Sequence, residues 1–112
     1  MKSKLQIIFI IGIILAPLLL IAAQNRGAEE MLLSGGKRGD VPFPHRIHQV
    51  VLDDCNKCHD LFPQIPGSIE KLKANQTLGK KQVMKQCSNC HKAKKGSGEK
   101  AGPTGCKACH IK

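Results

Sequence analysis

The first 23 positions follow a different pattern from everything after them. Lys2 and Lys4 make a short positive end, and Leu5 to Ala23 is an almost unbroken run of Ile, Leu, Phe and Ala. A basic segment followed by an apolar one is the layout of an export signal. The apolar run exceeds the roughly 7–15 residues usual for such a signal and approaches the ~17 at which a tilted span becomes feasible, with Pro17 interrupting it. The expectation is a signal peptide over residues 1–23 cleaved after Ala23, with a retained membrane anchor as the alternative. In either case the lysines stay inside and the remainder is exported.

Beyond residue 23 the apolar clusters are short. Met31-Leu32-Leu33 and Val50-Val51-Leu52 are followed only by isolated Ile, Leu and Val among Gly, Lys and Pro. Two segments read as helices. Pro44 suits a first helical turn, where its missing N–H costs nothing, so a helix is expected to begin there and carry Ile47, Val50 and Val51. A second is expected from about Lys80 to His91. The remainder reads as loops.

Such a chain cannot make a core from its own side chains. It has 112 residues, no Trp, no Tyr and three Phe, of which only Phe43 and Phe62 lie beyond the leader. Domains of this size are marginal even with a good core, so disulfides, a metal or a large cofactor must substitute.

The cysteines identify the substitute. All six fall in three copies of one pattern: Cys55-Asn56-Lys57-Cys58-His59, Cys87-Ser88-Asn89-Cys90-His91 and Cys106-Lys107-Ala108-Cys109-His110. C-x-x-C-H is the attachment signature of c-type haem. Two intervening residues let one turn of backbone present both thiols to the two vinyl groups on a porphyrin edge. The histidine after them then lies over the ring centre, where its imidazole binds iron. A disulfide framework suits an exported chain but does not explain a His after each second Cys. Zinc joins two Cys pairs and would leave a third over. A thioredoxin-like motif lacks its βαβ setting. Three covalent haem c groups are therefore expected, and with them a small, mostly α and irregular fold of short helices and loops wrapped around the haems.

Two histidines remain, His45 and His48. Three apart on the helix after Pro44, they project to nearly the same side. In most proteins they would be surface residues. Here three irons each need a second axial ligand, and both histidines stand just ahead of the first motif, so distal ligation is expected for each.

These residues resemble the trihaem cytochrome c7 family, within the wider cytochrome c3 group typical of metal-reducing bacteria. The resemblance rests on Phe43-Pro44-His45-Arg46-Ile47-His48, the ten-residue step from His45 to Cys55 and the three motifs, the last ending almost at the C-terminus. It covers Asp40 to Lys112. It implies bis-histidine haems, with His45 paired to His59, His48 to His91, and Phe43 packed between those two haems. It also implies a periplasmic electron carrier, relaying electrons from inner-membrane quinol-linked cytochromes towards outer-membrane cytochromes or terminal acceptors.

Three departures stand out. Residues 24–39 read as an N-terminal extension ahead of a haem domain over 40–112. The stretch Lys92 to Gly105, with Gly96-Ser97-Gly98, looks long. The family's sixth histidine, which stands near Val83 and Met84 and reaches the haem of the third motif, is missing. Met84 is the first candidate to replace it as sixth ligand of the His110 haem. Met31, a lysine, the mature N-terminus or an open position are the alternatives. On the expected helix Met84, Cys87 and His91 share a face, which makes it hard for Met84 to reach the far side of its own motif's haem and leaves it free to serve a neighbour. The rival function is a haem enzyme that reduces a small substrate at an open sixth position.

Charge refines the expected partners. All 18 Lys and Arg except Lys2 and Lys4 lie after residue 23, against all 8 acidic residues, formally +8. Haem propionates lower this figure. Lysines such as Lys92, Lys94, Lys95 and Lys100 serve partly as their partners and partly as a basic docking face for redox proteins. Nucleic acid is not expected, since the chain is exported and has no aromatics free for stacking. Membrane contact is expected only if residues 1–23 are retained, and the protein is expected to be a monomer.

Overall fold

The computed structural model describes residues 26–112. The expected signal peptide or anchor over 1–23 lies outside the described residues. Within them no helix is long and apolar enough to cross a membrane.

The described residues run as strand β1 (Met31–Leu33), a 3-10 turn (Gly36–Arg38), strand β2 (Val41–Phe43) and five helices. These are α1 (His45–Leu52), α2 (Asn56–His59), α3 (Ser68–Ala74), α4 (Gln82–Gly96) and α5 (Cys106–Cys109). The strands pair antiparallel, Met31 with Phe43, Leu32 with Pro42 and Leu33 with Val41. Pro42 has no N–H to donate and is tolerated because two strands leave only edges. Residues 26–39 are thereby tied to β2, and further bonds tie them to α1. Arg46 N donates to Glu29 O at 3.0 Å, Gln49 Nε2 to Arg26 O at 2.7 Å, and Arg46 pairs with Glu29 at 3.0 Å. The segment set apart in sequence as an extension supplies half of the sheet and anchors α1.

The hairpin also receives the C-terminus. Ile111 N donates to Asp40 O at 2.8 Å. Gly39, at φ 96, passes so close to the Ile111 carbonyl that a Cβ would overlap it. This contact requires glycine on both counts, left-handed backbone and close approach.

Helix α1 starts directly after Pro44, at φ −79, and stops at Asp53, in left-handed conformation at φ 50. Helix α4 begins two residues later than expected and runs to Gly96, well past His91. At its start, Gln82 Oε1 accepts from Gly79 N at 3.0 Å, drawing Lys80 and Lys81 into a turn. At its end, Lys92-Ala93-Lys94-Lys95 are good helix formers, with cations at the negative end of the helix dipole. Lys94 donates to Glu99 at 2.7 Å and Ser97 Oγ to the same carboxyl at 3.0 Å, closing the turn around Gly98 at φ 82. The long stretch between the second and third motifs is therefore extra helix plus a clasped turn.

Side-chain packing is sparse. Among the described residues, Ile69 and Leu78 are the buried hydrophobics and Ser68 the buried polar residue. They belong to α3 and the turn after it, where Leu78 N donates to Leu72 O at 3.0 Å and Ser68 Oγ to Pro63 O at 2.9 Å. Leu78→Ala should destabilise the haem-loaded protein by about 2–3 kcal/mol, as expected for a buried leucine whose site collapses only partly. A thermal melt checks this, and an unchanged midpoint would mean that this cluster is not structural.

Candidate metal centres

Each motif occupies one helical turn. Cys55 caps α2, and His59 N donates to Cys55 O at 2.9 Å. The second motif lies inside α4. In the third, α5 spans Cys106–Cys109 and His110 N donates to Cys106 O at 3.0 Å. One turn puts the two cysteines, three apart, on the same side. All six thiols are free of disulfides. The Cys87 thiol is pushed up by burial first and then by Cys58 and Cys109. Burial, then Cys90, likewise pushes up the Cys58 thiol. Gln86 Nε2 adds a direct tie from α4 to α2, donating to Lys57 O at 2.6 Å.

The histidines are prepared in the same way at all five positions. Nδ1 lies beside a backbone carbonyl in each: Ala28 for His45 at 2.9 Å, Pro44 for His48 at 2.9 Å and Phe62 for His59 at 3.1 Å. His91 uses Pro103 at 2.7 Å and His110 uses Gly39 at 2.8 Å. A carbonyl only accepts, so Nδ1 carries the proton and donates it. The neutral ring then has its lone pair on Nε2. Metal-bound histidines are commonly held by such a bond, which fixes the tautomer and strengthens the ring as a donor.

Four of the rings meet in pairs. His45 and His59 have centroids 6.2 Å apart with planes at 76°, and His48 and His91 are 6.1 Å apart at 30°. Two imidazoles bound to opposite sides of one ion at about 2 Å would place their centroids roughly 6 Å apart. The spacing of both pairs is therefore that expected of two imidazoles sharing one metal ion. Among the described residues no three His, Cys, Asp or Glu side chains converge on one point.

Phe43 lies 4.5 Å from the His48 ring and 5.8 Å from that of His45, next to both pairs. Phe62 stands edge-on to His59 at 5.2 Å. His110 is left without an imidazole opposite it, because the other four are used in pairs. Met84 sits in the first turn of α4, 48% exposed. Met31 sits in β1 opposite Phe43. Ile47, Val50 and Val51 are exposed on the helix that carries His45 and His48.

Sequence reasoning missed the carbonyls of Ala28, Pro44, Phe62, Pro103 and Gly39, and the Phe62 ring contact. A backbone carbonyl has no residue-type signature. The one available signal was Gly102-Pro103 ahead of the third motif, a turn dipeptide at a set place.

Residues 41–111 match the family described as cytochrome c7 and related cytochrome c. A cytochrome c7 of Geobacter metallireducens is 40% identical over 85 residues, covering 76% of this chain and 79% of the relative. Among solved structures, the trihaem cytochrome PpcA of Geobacter sulfurreducens is 38% identical, with 76% of this chain and all of PpcA covered, at a TM-score of 0.52. PpcE, a cytochrome c7 of the same organism, is 34% identical over 74% of this chain and 97% of its own, also at 0.52.

Proposed function

The chain belongs to the cytochrome c7 family and carries three haem c groups, and from that membership we propose a periplasmic electron carrier with two bis-histidine haems and one His/Met haem. Haem supplies one-electron chemistry between ferric and ferrous iron. Cys55 and Cys58 attach one group, Cys87 and Cys90 the second, Cys106 and Cys109 the third. His59, His91 and His110 are the proximal ligands. His45 completes the first site and His48 the second, while Phe43 packs between the two. Met84 serves the third site. The observation that carries this reading is the pair of imidazole couples at 6.2 and 6.1 Å, each ring anchored through Nδ1.

The chain's own residues keep the redox change cheap. Rings held by backbone carbonyls do not reorient when iron changes charge. The basic surface of α4, with Lys81, Lys85, Lys92 and Lys95, steers acidic redox proteins into encounter. Those partners are membrane-side donors and outward-going acceptors of the periplasm. Reduction of a small substrate is the second reading, favoured only by the lack of an imidazole opposite His110.

Low-temperature EPR with near-infrared magnetic circular dichroism distinguishes the two readings. The oxidised protein should show two bis-imidazole signals and one His/Met charge-transfer band, and intact mass should show three haems. A high-spin third haem would favour the reductase, and three bis-nitrogen signals would exclude Met84.

A further inference from the structure

Two of the five histidines share a second device besides the carbonyl that takes Nδ1. A glycine presses against the same ring. At Gly27, beside the His45 acceptor Ala28, a Cβ would make only an ordinary contact, 3.5 Å from His45 Cε1. A Cβ on Gly35 would stand 2.5 Å from His110 Nδ1, the atom that donates to Gly39. A Cβ on Gly102 would stand 2.6 Å from His91 Cε1 and 3.1 Å from each ring nitrogen, while the next residue, Pro103, accepts from Nδ1 at 2.7 Å.

Gly102 is the cleaner of the two, since a Cβ on Gly35 would also strike the Gly39 carbonyl. Gly102 has no left-handed φ, and its three nearest neighbours are all atoms of the His91 ring. Cys109 Sγ lies 3.8 Å from the Pro103 carbonyl, a contact without a hydrogen bond once that sulfur is a haem thioether. Gly102-Pro103 is thus wedged between the second and third motifs.

We propose that Gly102-Pro103 is a positioning device for His91, which fixes the rotation of the imidazole and sets the reduction potential of the haem held by His48 and His91. This rests on His91 being an axial ligand. Gly102 allows the backbone to lie flat against the ring edge, and that approach brings the Pro103 carbonyl to Nδ1. A carbonyl accepting from Nδ1 makes the imidazole a stronger donor, which favours ferric iron and lowers the potential. The ring is also stopped from turning, in keeping with the 30° angle to His48 where the other couple stands at 76°.

The test is Gly102→Ala in the haem-loaded protein, followed by spectroelectrochemical titration and EPR. The added methyl pushes the ring off the Pro103 carbonyl. One of the three midpoint potentials should rise and one low-spin signal should shift, with the other two unchanged. Gly96→Ala, whose Cβ meets nothing within 4 Å, should move none. A fully loaded Gly102→Ala with all three potentials and signals unaltered overturns the proposal, as does a common shift of all three. If that variant does not load three haems, the reduced, diamagnetic wild type decides the matter by NMR. His91 Nδ1–H should exchange slowly and couple through the hydrogen bond to the Pro103 carbonyl carbon, and a fast-exchanging, uncoupled proton refutes the device. His91→Met separates this from the ligand assignment. If it alters one haem while Gly102→Ala alters none, only the positioning role fails; if it alters none, the assignment itself fails.

Discussion

A chain with Cys55, Cys58, Cys87, Cys90, Cys106 and Cys109 all changed to alanine should have no cooperative fold. Ordering a residue costs on the order of 1–2 kcal/mol of backbone entropy, and hydrophobic burial is the main term that offsets it. Among the described residues the buried apolar side chains are Ile69 and Leu78, far too few for a domain of this size. Three covalent porphyrins supply the missing apolar surface and tie together segments that otherwise touch little. Helices α2 and α5 have four residues each, too short to persist without a partner, because helix nucleation is costly. The expected result is a far-UV circular dichroism spectrum close to that of an unfolded chain and a melt without a transition. A sigmoidal melt with native helix content would show that the polypeptide folds by itself. The single-site version, Cys106→Ala with Cys109→Ala, should lose one haem by intact mass and free the C-terminal segment that joins Ile111 to Asp40.

Met84→His should lower the potential of one haem by on the order of 0.1 V, a modest part of the ≈ 0.8 V that axial ligands span. A thioether is a weaker donor than imidazole and favours ferrous iron, so replacing it with imidazole stabilises the ferric state. At about 59 mV per tenfold for one electron, that is a change of well over tenfold in the reduced-to-oxidised ratio at a fixed potential. Met84→Ala should instead abolish the near-infrared His/Met band and leave that haem high-spin or bound to another nitrogen. Met31→Ala should retain the band. Potentials identical in Met84→His and wild type, with the band still present, would remove Met84 from the site and pass the role to another group. The half-exposed position of Met84 in the first turn of α4 makes both substitutions tolerable to the helix, so the change in potential is separable from a change in stability.

Much of the site was legible because covalent attachment and axial ligation demand particular residue types at short spacings. Cys-x-x-Cys-His needs one turn of chain, and His45 and His48 lie on one side of a helix begun after Pro44. Helix α4 was legible in its existence and not in its extent, since the turn set by Gln82 at one end and the Lys94–Glu99 clasp at the other are side-chain events. Strand β1 was not legible, for a different reason. Met31-Leu32-Leu33 is three residues long, and a strand so short has a meaning only once its partner, Val41–Phe43, is known.

What the sequence determined by itself was the inventory: three haem anchors, five imidazoles for six axial positions, and too few apolar side chains to fold without the cofactor. What the tertiary structure decided was the aim. It set His45 opposite His59 and His48 opposite His91, the pairing that the family resemblance implies, and gave each ring a backbone carbonyl for Nδ1. The physical reason is that a ligand's identity is a property of its side chain, whereas its direction depends on carbonyls and glycines such as Gly39, Gly102 and Pro103, whose roles exist only where two stretches of chain meet.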